Sequence, residues 1–207
     1  MLIAWLLLVA IALALSGLAV TGDLLWGDRS ILRHLQDTPG GAQMEATADA
    51  LHAIQPAVFA LALALAVLKR RRWLVIAAVL VLLSLALNPA LKEAIERARP
   101  DMVMHREPAG GYGFPSGHAM SAMLLYGYAA AVVSMIWPRA EAAAVALAAV
   151  VVLLIGFDRV YNAVHWPSDV FGGWAWGGLL LIASFAIASW LVERTRFARP
   201  SSPREPG

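Results

Sequence analysis

Long apolar runs, broken by short polar stretches, set the pattern of this chain. About 20 mainly apolar residues suffice for a helix to cross a bilayer. The runs predict six spans, at Leu2–Val20, His52–Leu68, Trp73–Leu91, Ala119–Trp137, Ala140–Phe157 and Val170–Val192. The second is short, and tilt or an extension at one end would make up its length. The first starts at the initiator methionine with no basic flank and is longer than a signal-peptide core, so it is read as a retained span. "GDRSILRHLQ" in the loop Thr21–Leu51 predicts a short interfacial helix and offers no catalytic set. The expected architecture is an all-α polytopic membrane protein, with residues 1–193 as one membrane domain and 194–207 as a disordered cytoplasmic tail.

Composition agrees with the pattern. Of 207 residues, 60% are hydrophobic and 14% charged, against about a quarter charged in soluble domains. Mean hydropathy is +0.69. The absence of cysteine excludes disulfides, thiolate metal sites and a cysteine nucleophile. A net charge of +2 without any base-reading pattern points to anionic lipid rather than nucleic acid. Lys69–Arg72, "KRRR", orients the chain by the positive-inside rule. That segment faces the cytoplasm, both termini lie inside, and the loops Thr21–Leu51, Lys92–His118 and Asp158–Asp169 face outward. Trp26, Trp73, Trp137, Trp166 and Trp190 fall near span ends, as an aromatic belt requires, although tryptophan is common throughout this chain.

Three polar stretches fall on the outward face. In "KEAIERARP", Lys92 and Arg99 lie seven residues apart, two turns of a helix that Pro100 would end. Both can converge on one anion, or simply snorkel to the interface. In "GFPSGHAM", Ser116 is a candidate N-cap, with Gly117 and His118 opening the next helix. Such a helix start offers free N–H donors to phosphate, and Gly117 has no side chain to obstruct it. In "RVYNAVHWPSD", Pro167 suits the first helical position and Asp169 the third. A carboxylate there can reach back to His165, or merely cap the helix. Arg159 offers a forked clamp for phosphate oxygens.

Three cations, two histidines, one carboxylate and a glycine-bearing helix start at one surface suit phosphoryl transfer. His118, His165 and Asp169 could form a metal site on paper, but the surrounding cations would repel the ion. No metal or cofactor is expected.

Together the three stretches resemble the signature motifs of the type 2 phosphatidic acid phosphatase (PAP2) superfamily, which includes membrane lipid phosphatases and soluble vanadium haloperoxidases. The resemblance spans Lys92–Asp169 by motif and the whole chain by span count. It implies that His165 attacks phosphorus to form a phosphohistidine, Asp169 orients it, and His118 protonates the leaving oxygen and then activates water. Lys92, Arg99, Ser116, Gly117 and Arg159 would bind phosphate. One departure stands out: the family's serine before the third-motif arginine is here Asp158, which must turn outward or pair with Arg159 or Arg99 to spare the phosphate. The implied activity is metal-independent hydrolysis of a lipid phosphate at the outer face of the cytoplasmic membrane, with undecaprenyl diphosphate the leading substrate. Phosphatidylglycerophosphate and phosphatidic acid are alternatives. Transfer of the phosphoryl group to a lipid or sugar acceptor would use the same residues, and a non-catalytic lipid-binding or transport module remains the third reading.

Overall fold

A computed structural model describes residues 2–21, 27–36, 41–101 and 110–197. Its elements are α1 (Leu2–Val20), α2 (Asp28–Gln36), α3 (Gly41–Leu68), α4 (Arg72–Leu85), α5 (Leu87–Ile95), α6 (Gly117–Ile136), α7 (Glu141–Tyr161) and α8 (Pro167–Phe197). The described residues contain helix and no strand, as a bilayer demands of a chain that must satisfy its own backbone. Trp26 and the tail beyond Phe197 lie outside the described residues.

Among the described residues, five helical stretches are long and apolar enough to cross a membrane: Glu45–Leu68, Arg72–Ile95, Gly117–Ile136, Pro138–Tyr161 and Pro167–Thr195. The expected first span coincides with α1, whose apolar stretch Leu6–Val20 falls short of the same criterion. Large apolar side chains face outward from several helices, among them Leu61, Leu83 and Leu147, each about two-thirds exposed. Only a lipid surround makes such a surface favourable.

α6 is the central helix: 56% of its apolar window is buried, against 22% for each of the other four. Its Tyr128 is fully buried, stacks on Phe185 at 6.0 Å and donates to the Leu74 carbonyl at 3.0 Å. Lipid tails are as apolar as leucine, so close packing rather than water exclusion holds such helices together. Gly173 and Gly177 of α8 provide that closeness, since a Cβ on them would sit 2.6 Å from the Ser116 carbonyl and 2.9 Å from that of Met120. The start of α6 is thereby fixed against the start of α8.

Two helices depart from the expected spans for reasons visible in their residues. The second span extends back to Gly41. The third divides at Ala86, whose N–H donates to Leu83. Pro89 has no N–H for the Leu85 carbonyl, so a continuous helix loses a bond there, whereas the first turn of a new helix tolerates proline. α5 then ends at Ile95, because Glu96 takes a left-handed conformation (φ 53°). Arg99 therefore does not share a helix with Lys92, and the expectation of two cations on one helical face is corrected: Arg99 stands in the irregular segment after α5. Pro100 is consistent with this, since it disfavours helical geometry in the residue before it.

Candidate active site

The α6 start is built as its residues suggest. Ser116 has extended geometry and its side chain accepts from the Ala119 N–H at 3.5 Å. Its own N–H donates to the Asp169 carbonyl at 2.9 Å, which joins the second and third motifs through backbone. Gly117 is required by a neighbour as much as by any ligand, because a Cβ there would lie 3.0 Å from the Asn88 side-chain oxygen.

The third motif folds around Asp169. Pro167 opens α8, and Oδ2 of Asp169 accepts from the Trp166 N–H at 3.0 Å. The same oxygen faces Nδ1 of His165 at 3.4 Å, and the backbone N–H of His165 donates to the Arg159 carbonyl at 3.2 Å. His165 is buried. Burial, opposed by Asp169 and reinforced by Arg99 and Lys92, pushes its pKa down to about 4. The ring is therefore neutral near pH 7. A proton on Nδ1, facing the carboxylate, leaves the Nε2 lone pair directed at Arg99, whose Nη1 lies 3.2 Å away.

Backbone carbonyls hold two of the expected phosphate-binding cations. Arg99 donates to Gly111 and Gly110, each at 3.1 Å, and to Val164 at 2.6 Å. Lys92 donates to Tyr112 at 2.5 Å and Gly113 at 3.3 Å. Carbonyl partners orient a cation without contributing a charge of their own. Arg159 differs. It is ion-paired to Asp158, which also accepts from Asn162 at 3.2 Å, and to Asp49 at 3.2 Å. Of the expected alternatives for Asp158, the pairing with Arg159 is the one found. His118 lies near Arg159, His165 and Arg99, and its ring lies against that of His52, with centroids 4.0 Å apart. Lys92, Arg99, Gly117, His118, His165 and Asp169 therefore gather at one end of the bundle, while Arg159 reaches the same place with its charge shared.

Sequence reasoning passed over a buried support behind this set. Arg97 donates to Asp169 Oδ1 at 2.5 Å, to Ser168 at 2.7 Å and to Asp28 at 3.3 Å. Asp28 also accepts from the N–H of Ser168 at 2.9 Å and from its hydroxyl at 2.6 Å. All four residues are at most 4% exposed. The segment Thr21–Leu51, in which no catalytic set was read, thus supplies Asp28 on α2 and Asp49 on α3, the helix that also carries His52. The available signal was an extra arginine inside "ERARP" and an aspartate at the start of an amphipathic helix.

Comparison with known proteins agrees with this geometry. Residues 73–193 match the family model described as the PAP2 superfamily. Phosphatidylglycerophosphatase B of Bacillus subtilis (strain 168) is 38% identical over 99 residues, which are 45% of this chain and 47% of that protein. The protein of the same name in Escherichia coli K12 is 31% identical over 90 residues, 44% of this chain and 33% of that one. Lipid A 1-phosphatase of Rhizobium etli is 36% identical over 97 residues, 42% and 38% of the two chains. The matches span less than half the length of these curated relatives. In three dimensions, the crystal structure of a transmembrane PAP2-type phosphatidylglycerolphosphate phosphatase from Bacillus subtilis superposes with a TM-score of 0.69 at 25% identity, covering 93% of this chain and 98% of that one. With its apolar helices and the three motifs gathered at one end, this multi-pass membrane protein belongs to the PAP2 superfamily.

Proposed function

We propose that the chain is a lipid phosphate phosphatase acting through a phosphohistidine on His165. The observation that carries this reading is the placement of the buried His165, which faces Asp169 with one nitrogen and Arg99 with the other. In the first step Nε2 of His165 attacks phosphorus and the bond to the lipid oxygen breaks. His118 donates the proton that oxygen needs. In the second step water attacks phosphorus, His118 takes its proton, and the P–N bond breaks to release phosphate. Lys92, Arg99, Ser116 and the free N–H donors at Gly117 hold the phosphate oxygens where charge develops, and Arg159 contributes through its shared charge. Loss of one such donor typically costs about 10²–10³ in kcat. The chemistry needs no metal.

The names of the relatives, phosphatidylglycerophosphatase B and lipid A 1-phosphatase, favour a phosphate monoester over the undecaprenyl diphosphate expected first. Phosphatidylglycerophosphate is the leading substrate and phosphatidic acid the next. The same residues would serve a phosphotransferase, so product analysis decides between the two. The cationic segment Lys69–Arg72 supports a site on the outer face of the cytoplasmic membrane, with both termini inside. The test is phosphate release from proteoliposomes containing EDTA and one of phosphatidylglycerophosphate, phosphatidic acid or undecaprenyl diphosphate. The highest kcat/KM is expected for phosphatidylglycerophosphate. Dependence on added metal, or release of a phosphorylated acceptor instead of free phosphate, would overturn the assignment.

A further inference from the structure

The end of the bundle remote from His165 carries a second cationic site. α4 runs from Arg72 toward the active-site end and α8 runs away from it, so the first turn of α4 meets the last turns of α8 at the opposite surface. A cavity of about 730 Å³ opens there, lined by Arg70, Arg71 and Arg72 on one side and by Leu191, Val192 and Thr195 on the other. Trp73 and Ile76 complete its wall. Among the described residues these three arginines form no ion pair.

The turn that presents them has a local cost. α3 closes with Arg71 N–H on Ala66 and Arg70 N–H on Val67, both at 2.9 Å, which is the paired closure that places its cap residue in the left-handed region. Arg70 occupies that position at φ 51°, where glycine is the favoured residue. A charged side chain is thus held at a strained cap facing the cavity.

We propose that this cavity binds the head group of an anionic phospholipid in the leaflet opposite the candidate catalytic site. Charge complementarity selects an anion. The apolar wall of Trp73, Ile76, Leu191 and Val192 beside the arginines selects one joined to acyl chains, and the cavity exceeds what inorganic phosphate would fill. The site is independent of the catalytic reading, because none of its lining residues belongs to the first, second or third motif.

Trp73 supplies the probe. The protein is reconstituted in phosphatidylcholine liposomes containing either brominated phosphatidylglycerol or brominated phosphatidylcholine at equal mole fraction. Excess tryptophan quenching by the anionic lipid is expected. Trp73→Phe should remove that excess, and Arg70→Gly and Arg72→Gln should each weaken the lipid preference about five-fold. Arg70→Gly relieves the strained cap, so it tests the charge without endangering the fold. High salt should diminish the excess, and His165→Ala should leave it unchanged. Equal quenching by the two lipids overturns the proposal. So does an excess that survives in Trp73→Phe, persists in folded Arg70→Gly/Arg72→Gln protein or at high salt, or disappears in His165→Ala.

Discussion

Asp169 is the residue on which the site turns, because its two oxygens face opposite ways. Oδ2 faces His165, and Oδ1 accepts from Arg97, which also reaches Asp28. Removing Arg97 leaves two buried carboxylates without their shared cation. Arg97→Ala is therefore expected to lower stability by about 3–5 kcal/mol and to reduce kcat more than it changes KM. Pairing it with Asp28→Asn should recover part of the stability, as thermal unfolding in detergent would show. His165 gives a second outcome. Its folded pKa is about 4 against an ordinary 6.5, so as pH falls from 6.5 toward 4 the unfolded chain takes up a proton that the folded chain refuses. Stability is thus fully present above pH 6.5, declines through that window and levels off below it. The fall in melting temperature from pH 7 to pH 5 should be steeper in the wild type than in His165→Gln, and equal slopes would contradict the buried neutral ring. The histidines, Asp169, Lys92 and Arg99 are legible as candidates because each stands in one of three short motifs whose spacing is local. Arg97 and Asp28 escaped because their partners lie 69 to 140 residues away along the chain, a distance that no local pattern encodes.

Among the elements, α6 and α8 decide where phosphate can sit. The closeness of Gly173 to the Ser116 carbonyl sets the position of the α6 N-terminus. Gly173→Ala is expected to cost about 1–3 kcal/mol by overpacking and to lower kcat about 10- to 100-fold by displacing the helix start. Gly178→Ala, whose new Cβ would meet Leu8 at an ordinary 3.6 Å, should behave like the wild type in both assays. Hydropathy gave the positions of the expected spans well, because a run of apolar residues depends only on composition. It missed the division at Ala86 and the end of α5 at Ile95. Pro89 announces the first to a reader who asks which carbonyl loses its donor, whereas the left-handed Glu96 carries no comparable local signal. The amphipathic segment read as α2 formed as expected, but its contact with the third motif through Asp28 emerged only in the structure.

At the scale of the molecule, one end gathers the three motifs and the other displays Lys69–Arg72. That polarity predicts which residues reagents can reach from each side. The chain contains no cysteine, so single cysteines placed at Asp101 and at Arg71 report without background. In intact cells a membrane-impermeant maleimide should label the Asp101 position directly and the Arg71 position only after permeabilisation. The reverse pattern would invert the proposed topology. The central claim is that one neutral histidine at the outward end accepts the phosphoryl group, and it is tested most directly by trapping the intermediate. Enzyme mixed with phosphatidylglycerophosphate, quenched in alkali and analysed by mass spectrometry should carry phosphate on His165, and His165→Ala treated in the same way should carry none. Phosphate on any other residue, or undiminished turnover by His165→Ala, would contradict the account.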